Sequence, residues 1–349
     1  MDVLVAGCGT NQAAVLAYTN PEAHITAVDI SQSSLNHHQY LKNRYKLKNL
    51  TLHHLPIEDL PTLQSDYDLI ISTGVLHHLA DPQKGMAALA QCLRPDGVIA
   101  LMLYARFGRI GVEMLQTVFR ELGLSQNDLS VLMVKDALGV LTKDHPIWSY
   151  IQLAPDLQYD AGLVDTFLHG RDISYTVNDC IDLVTSAGLV FQDMFMKSPY
   201  YPPAETTNVF YSSVSNQPEQ KQWSIMERIQ IENGCHFFTA CHKERPKKSY
   251  VIDFADATFL DYRPQLRFRC ALHGDTLSRH NWSMQLRPIE IALIQRIDGE
   301  RTIRKIISDT SHSNLLVNMK SVELERLAKN LFQRLWRLDF LVMGLADRS

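Results

Sequence analysis

A five-residue apolar run, Asp2–Ala6, ends in Gly7-Cys8-Gly9, and no other feature of the 349-residue chain narrows its fold so far. A helix-compatible run over residues 12–18 follows at once, and a second apolar run over residues 25–28 ends in Asp29. Paired glycines after a strand let the backbone turn tightly and approach a ligand. An acid at the end of the next strand can accept hydrogen bonds from two vicinal hydroxyls. Strand, Gly-x-Gly turn, helix, strand and acid, in that order, is how an α/β sheet holds an adenosine ribose. A nicotinamide fingerprint needs a third glycine where Gln12 stands, which argues against a dinucleotide. The chain has no Walker sequence, which argues against a nucleoside triphosphate.

The next hundred residues keep the same rhythm. Apolar runs over residues 50–55, 67–72 and 97–104 alternate with helix-compatible stretches over 33–45 and 82–93. That alternation predicts a doubly wound, parallel α/β sheet. The turn Ala6-Gly7-Cys8-Gly9-Thr10 resembles the first motif of class I S-adenosylmethionine-dependent methyltransferases. Asn11 stands where that family often has glycine; Asn suits a helix N-cap and tolerates a left-handed backbone. The segment Tyr67-Asp68-Leu69-Ile70-Ile71-Ser72-Thr73-Gly74-Val75-Leu76-His77-His78-Leu79 resembles the family's fourth-strand motif, and Leu93-Arg94-Pro95-Asp96-Gly97 its entry to the fifth strand. Within the family the pattern is most similar to bacterial members that read GVLHH-L-x-DP, although no tetratricopeptide repeat accompanies it. The resemblance covers residues 1–104 and continues to about 245. It implies a Rossmann-like, seven-stranded, mostly parallel sheet. Family members usually carry one or two helices before the first strand, so a chain whose first strand starts at residue 2 is expected to lack its natural N-terminus.

The resemblance also implies a cofactor and its contacts. S-adenosyl-L-methionine would meet the backbone of Ala6, Gly7, Cys8 and Gly9, with Asn11 beside them, and its ribose would meet Asp29. Ile30 would lie along the adenine. The family's usual acid after the third strand is Pro56 here, followed by Ile57, so the polar adenine contact is left to Glu58 or Asp59. Thr73 and Gly74 would pass close to the sulfonium. His78 reads either as a general base, since imidazole titrates near neutral pH, or as a residue that orients its loop. His77 reads as a surface residue. Tyr104 and Arg106, emerging from the fifth strand, would face the acceptor; Arg106 would hold an acidic acceptor or pair with carboxylates of the insertion that follows, the expected lid. No Asn-Pro-Pro-Tyr-like motif follows the fourth strand, which argues against methylation of planar amides or adenine nitrogens.

After the fifth strand the pattern changes. Residues 105–173 hold apolar periodic stretches, such as 112–122 and 129–141, without strand-like alternation. This reads as a helical insertion over the carboxyl ends of the strands, where such folds bind ligands, and as a substrate lid. A helix over 176–187, a sixth strand over 188–197, a Pro-rich connection over 198–204 and a seventh strand over 235–242 follow. The resemblance places that seventh strand antiparallel at the sheet's far side. Glu244-Arg245-Pro246-Lys247-Lys248 reads as a linker, dividing a domain over 1–245 from one over 250–349. In the latter, two short strand candidates precede a helix opened by Leu286-Arg287-Pro288. Asp298-Gly299 makes a tight turn, Thr302 starts a second helix, and leucines 324, 327, 331, 335 and 338 mark a third. With a terminal strand over 340–345 this resembles a small α+β winged-helix module. The stretch over 294–303 is similar to the peptide-binding chaperones of pyrroloquinoline quinone biosynthesis. An accessory helical domain that packs or forms a homodimer fits the same residues.

Composition excludes some classes. At 46% apolar and 21% charged the chain is globular, and no run approaches the eighteen or so apolar residues of a membrane span. Six scattered cysteines suit a reducing cytoplasm better than a disulfide framework. Cys241-His242 with Cys270-x-x-His273 is a weak zinc set, because adjacent residues point to opposite sides of a strand, and no metal is expected. Residues 243–349 carry 19 Lys/Arg against 13 Asp/Glu, whereas residues 1–242 carry 15 against 25. An acidic catalytic half makes bare nucleic acid an unnatural substrate, leaving a small-molecule or peptide/protein acceptor. Two other readings stay open: a non-catalytic S-adenosylmethionine-binding scaffold, and a winged-helix regulator that binds nucleic acid.

Overall fold

The computed structural model describes residues 1–203, 208–280, 282–311 and 320–345; Ala204 of the Pro-rich connection and residues 346–349 of the expected second domain lie outside them. The chain divides into two compact units, one of Met1–Phe195 with Gln217–Arg245 and one of Met196–Asn216 with the residues from Pro246 onward.

The first unit begins with β1 (Asp2–Ala6), α1 (Gln12–Thr19), β2 (His24–Asp29), α2 (Gln32–Tyr45) and β3 (Leu50–His54). Then come β4 (Tyr67–Thr73), α3 (Pro82–Gln91) and β5 (Leu93–Tyr104). Val3, Leu4, Val5 and Ala6 are all buried, as expected of a central parallel strand covered on both faces. Local chemistry starts the helices. The Ser31 hydroxyl accepts from the Ser34 N–H at 3.3 Å, and the Asp81 carboxylate accepts from the Lys84 N–H at 3.1 Å, with Pro82 in the first turn.

The expected insertion is four helices, α4 (Ile110–Glu121), α5 (Asp128–Val140), α6 (Ile147–Leu153) and α7 (Asp160–Phe167). They share an apolar cluster that includes Val112, Phe119, Val134, Ile147 and Phe167. The sheet resumes after α8 (Val177–Ser186), whose Thr176 and Asp179 form a capping box, with β6 (Leu189–Met194). Beyond α9 (Val209–Ser215), which belongs to the second unit, α10 (Glu219–Ile229) and β7 (Cys235–His242) complete the first. The strand order is β3-β2-β1-β4-β5-β7-β6. β7 is antiparallel to both neighbours and is inserted between β5 and β6, so the strand at that edge is β6. The sheet reverses direction of winding between β1 and β4, and the first glycine turn sits at that switch point.

Among the described residues, the second unit has four strands, rather than two, before the helix that opens at Pro288. They are β8 (Arg263–Leu266), β9 (Ala271–His273), β10 (Thr276–Arg279) and β11 (Trp282–Gln285). The helices α11 (Pro288–Ile294), α12 (Ile303–Ser311) and α13 (Ser321–Arg337) precede β12 (Leu341–Gly344). β9, β10 and β11 form one antiparallel sheet and β8 pairs with β12. Leu277, Leu293, Ile306, Phe332, Leu335 and Phe340 lie in their common core. The Asp298-Gly299 turn forms as expected: the Asp298 carboxylate accepts from the N–H groups of Glu300 and Arg301, and Gly299 adopts φ +84°. Met196–Asn216, expected with the first domain, packs with the second unit, where the buried Asp339 carboxylate accepts from the N–H groups of Lys197 and Ser198 at 2.8 and 2.9 Å.

Candidate active site

The turn after β1 is fixed by three carbonyl and carboxylate contacts. The N–H groups of Gly7 and Cys8 both donate to the Val28 carbonyl, at 2.8 and 3.0 Å. The Gly9 N–H donates to Asp29 Oδ2 at 2.9 Å, and Asp29 Oδ1 accepts from the Ser31 N–H at 2.8 Å. Gly7 and Gly9 have φ of +75° and +57°, a region that disfavours a side chain. A Cβ on Gly7 would stand 2.4 Å from Val75 Cγ2, so this glycine lets the turn pack on the loop after β4. A Cβ on Gly9 would meet nothing within 4 Å: open space lies beside it. Burial, with the Asp29 charge next, pushes the Cys8 thiol up to about 12, so it stays protonated. Gln12, in the place of a third glycine, donates from Nε2 to Thr73 Oγ1 at 3.3 Å and ties α1 to the end of β4.

A second cluster stands beyond β4 and β5. Leu76–His78 forms one tight helical turn that buries His77 completely, at 0% exposure. The His77 ring stacks on Tyr104 at 3.8 Å between centroids, and the Arg109 guanidinium carbon lies 3.6 Å from the same centroid. Two groups that close to one ring centre must occupy its opposite faces, so Tyr104 is sandwiched. Arg109 is itself fully buried; it donates to Asp172 Oδ2 at 2.8 Å and to the Tyr150 hydroxyl. Gln116 Nε2 donates to the same Asp172 oxygen at 2.7 Å. His78 Nδ1 lies 3.0 Å from the Arg171 carbonyl. A carbonyl can only accept, so Nδ1 carries the proton and Nε2 presents its lone pair. Burial pulls His77 down to about 2, with His78 and Arg109 adding to the shift, and burial likewise lowers His78. Both rings are neutral at pH 7. Burial, then the Asp165 charge, raises the Tyr104 phenol, whose hydroxyl is 3.5 Å from Asp165 Oδ2.

The sequence-predicted residues fall into three groups. Ala6, Gly7, Cys8, Gly9 and Asp29 come together at the switch point, with Thr73 and Gly74 at the end of the adjacent strand. Asn11 is the N-cap residue of α1, but its side chain makes no capping bond, and its φ of −144° is not left-handed; the glycines alone take the positive φ. Ile30 is 70% exposed and free to cover a ligand, whereas Ile57 is buried at the start of the short helix Ile57–Leu63, with Glu58 half-buried next to it. Tyr104 and His78 meet in the second cluster. Arg106 does not: it is exposed, donates to the Ser174 carbonyl at 3.2 Å, and lies 3.7 Å from Asp179 on α8 rather than near an insertion carboxylate. His77, expected at the surface, is buried, because the tight turn directs the first of the two adjacent rings under the second. Arg109, Gln116 and Asp172 were missed. Nothing in their sequence neighbourhood marks them, since the Arg109–Asp172 pair spans 63 residues.

Residues 4–99 match the family model described as a methyltransferase domain. An uncharacterized protein of Synechococcus sp. is 31% identical over 196 residues, which cover 54% of this chain and 47% of that protein. A malonyl-[acyl-carrier protein] O-methyltransferase of Bacillus cereus is 34% identical over 119 residues, covering 34% of this chain and 42% of that one. The chain thus spans less than half the length of these curated relatives. Among solved structures, PKMT2 from Rickettsia typhi in complex with AdoHcy superposes with a TM-score of 0.69 at 15% identity, over 98% of this chain and 71% of that one, a likeness of fold.

Proposed function

We propose that this chain, whose residues 4–99 belong to the methyltransferase domain family, is an S-adenosylmethionine-dependent methyltransferase that acts on a small-molecule or peptide/protein acceptor. The observation that carries the reading is the Asp29 carboxylate at the end of β2, facing the Gly7–Gly9 turn at the point where the sheet reverses. The residues fit the cofactor. Each Asp29 oxygen uses one lone pair on the turn and keeps another for a ribose hydroxyl. The open space beside Gly9 admits a ligand where a side chain would intrude.

When bound, S-adenosylmethionine supplies a methyl group on a sulfonium, an electrophile that needs only a correctly placed acceptor. The chain's own residues do the placing. Gly7, Gly9 and Asp29 hold the cofactor, Ile30 covers its adenine, and Thr73 and Gly74 border the methyl. Cys8, kept protonated by burial, is a poor nucleophile and does not compete with the acceptor. The His77–Tyr104–Arg109 stack makes a water-poor wall, and the neutral His78 offers Nε2 as a lone pair toward the acceptor. Arg106 is a positioning residue for the strand-like segment at Ser174 and Tyr175. The insertion over 105–173 acts as the acceptor lid, and the second unit recruits the acceptor or a partner.

Calorimetric titration with S-adenosylhomocysteine tests the cofactor, and transfer of labelled methyl groups to fractionated cell extract tests the acceptor. Saturable 1:1 binding and label in a small-molecule or protein fraction are expected. Absence of binding removes the reading, and binding with no transfer to any fraction converts it to a non-catalytic scaffold.

A further inference from the structure

Among the described residues, His77, His78 and Asp172 place one nitrogen or carboxylate oxygen each within 4.8 Å of one another. Two of them carry buried polar atoms without a partner: both ring nitrogens of His77, and Oδ1 of Asp172. Leaving such atoms unpaired forfeits their hydration with nothing in return, so a buried set of them that converges calls for an occupant. Two of the three donors are also held from behind by hydrogen bonds, and the His77 ring by its stack on Tyr104. The Arg171 carbonyl fixes the His78 tautomer with Nε2 unprotonated, and Arg109 and Gln116 both bind Asp172 through Oδ2, leaving Oδ1 free. A histidine whose far N–H is anchored to a carbonyl, beside a carboxylate oriented by outer donors, is the usual support for a metal ligand set.

We propose that His77, His78 and Asp172 bind a divalent transition-metal cation of the Zn2+ type, with a fourth coordination position left open. Two imidazoles and one carboxylate suit zinc, and three protein ligands with an open position mark sites that take part in chemistry. Bonds of about 2.1 Å in a tetrahedron put donors about 3.4 Å apart, so side-chain rotation must close the present spread of up to 4.8 Å by up to about 1.4 Å. The Arg109 charge opposes a cation, but it sits on the Oδ2 side of Asp172, and the Asp165 carboxylate near Tyr104 offsets it. The inference deepens the methyltransferase reading and rests on it for its role. The ion would hold the oxygen or sulfur of an acceptor at the open position and lower its pKa, so that its proton is released to bulk water before the methyl group is transferred. His78 then serves as a ligand and not as the base.

The test uses the whole 349-residue chain without a tag, stripped with a chelator and titrated with Zn2+ by equilibrium dialysis and with Co2+ by visible absorption. The expected result is one tight site with the absorption of low-symmetry Co2+. His77→Phe keeps the stack on Tyr104 without its nitrogens, and Asp172→Asn keeps an oxygen for Arg109 and Gln116. Each should weaken Zn2+ at least about 100-fold, more than loss of an outer partner usually costs. Titration with S-adenosylhomocysteine reports separately on folding and on the cofactor site. A wild type that binds S-adenosylhomocysteine but no Zn2+ overturns the metal site and leaves the methyltransferase reading standing. One equivalent of Zn2+ retained by both folded variants places the ion elsewhere and also overturns it. Zn2+ binding lost in both folded variants supports the site even where S-adenosylhomocysteine does not bind.

Discussion

Asp29 holds the turn through both oxygens, and the proposed function assigns the same two oxygens to the ribose. On that reading Asp29→Ala would remove the ribose contact, and it leaves the Gly9 N–H without its carboxylate as well. It should weaken S-adenosylhomocysteine by about 1.5–3 kcal/mol, the scale of a charged hydrogen bond, and calorimetry with equal affinities for wild type and variant would refute the assignment. Gly7 is constrained twice, by φ +75° and by Val75 Cγ2 at 2.4 Å from a would-be Cβ. Gly7→Ala should therefore lower both thermal stability and cofactor affinity, and adding Val75→Ala should restore only part of each, because the positive φ remains. The turn itself was legible because its bonds are local: Gly7 and Cys8 donate to Val28 and Gly9 to Asp29, across 21 residues or fewer. His77 was misread because two adjacent histidines look alike in sequence. Only the turn that buries one and half-exposes the other tells them apart.

At the scale of elements, the insertion was legible as helices from its apolar period, yet its attachment was not. Arg109 at the start of α4 and Asp172 beyond α7 form a pair exposed by no more than 4% at either side chain, closing the four helices into a loop. Breaking a buried pair by removing one partner typically costs 3–5 kcal/mol. Arg109→Met should accordingly raise amide exchange across α4 to α7 and leave β1 to β4 protected; unchanged exchange in the insertion would count against this closure. A second attachment holds α10 to α8, where Glu227 Oε2 accepts from the Val177 N–H at 2.9 Å and lies 3.8 Å from His236 Nε2. Burial raises Glu227 to about 7, against an unfolded value near 4.5, so its contribution is full at low pH and is lost as pH rises through about 7. Burial lowers His236 to about 4 from 6.5, so its contribution is present above about 6.5 and is lost as pH falls through about 4. The two trends oppose each other over most of this window. Glu227→Gln removes the falling one, so its melting temperature should climb relative to wild type between about pH 4.5 and 7. Parallel curves for the two proteins would show that Glu227 is ionised throughout.

At the scale of the whole molecule, the two compact units divide between Arg245 and Pro246, and the allegiance of Met196–Asn216 was not legible in the sequence. That segment is held by bonds 141 and 142 residues long in sequence, from the N–H groups of Ser198 and Lys197 to Asp339. No local pattern can announce a partner that distant. Arg267 reinforces the contact at 3.1 Å, and Tyr200, Tyr201 and Val214 are buried in the same unit. The consequence is specific. A chain ending at Arg245 keeps every strand of the seven-stranded sheet and both glycine-turn partners, but strips this segment of its carboxylate and exposes its aromatic side chains. Such a truncation should bind S-adenosylhomocysteine within about tenfold of the full chain, roughly 1.4 kcal/mol, yet aggregate on concentration. Replacing residues 197–216 of the truncated chain by a flexible Gly-Ser linker should cure the aggregation without changing the affinity. If the second unit recruits the acceptor, the repaired truncation should also show a raised KM with its kcat little changed. Loss of cofactor binding in the soluble, repaired chain would instead show that the first unit depends on the second for its folded state, and recruitment would give way to a structural role.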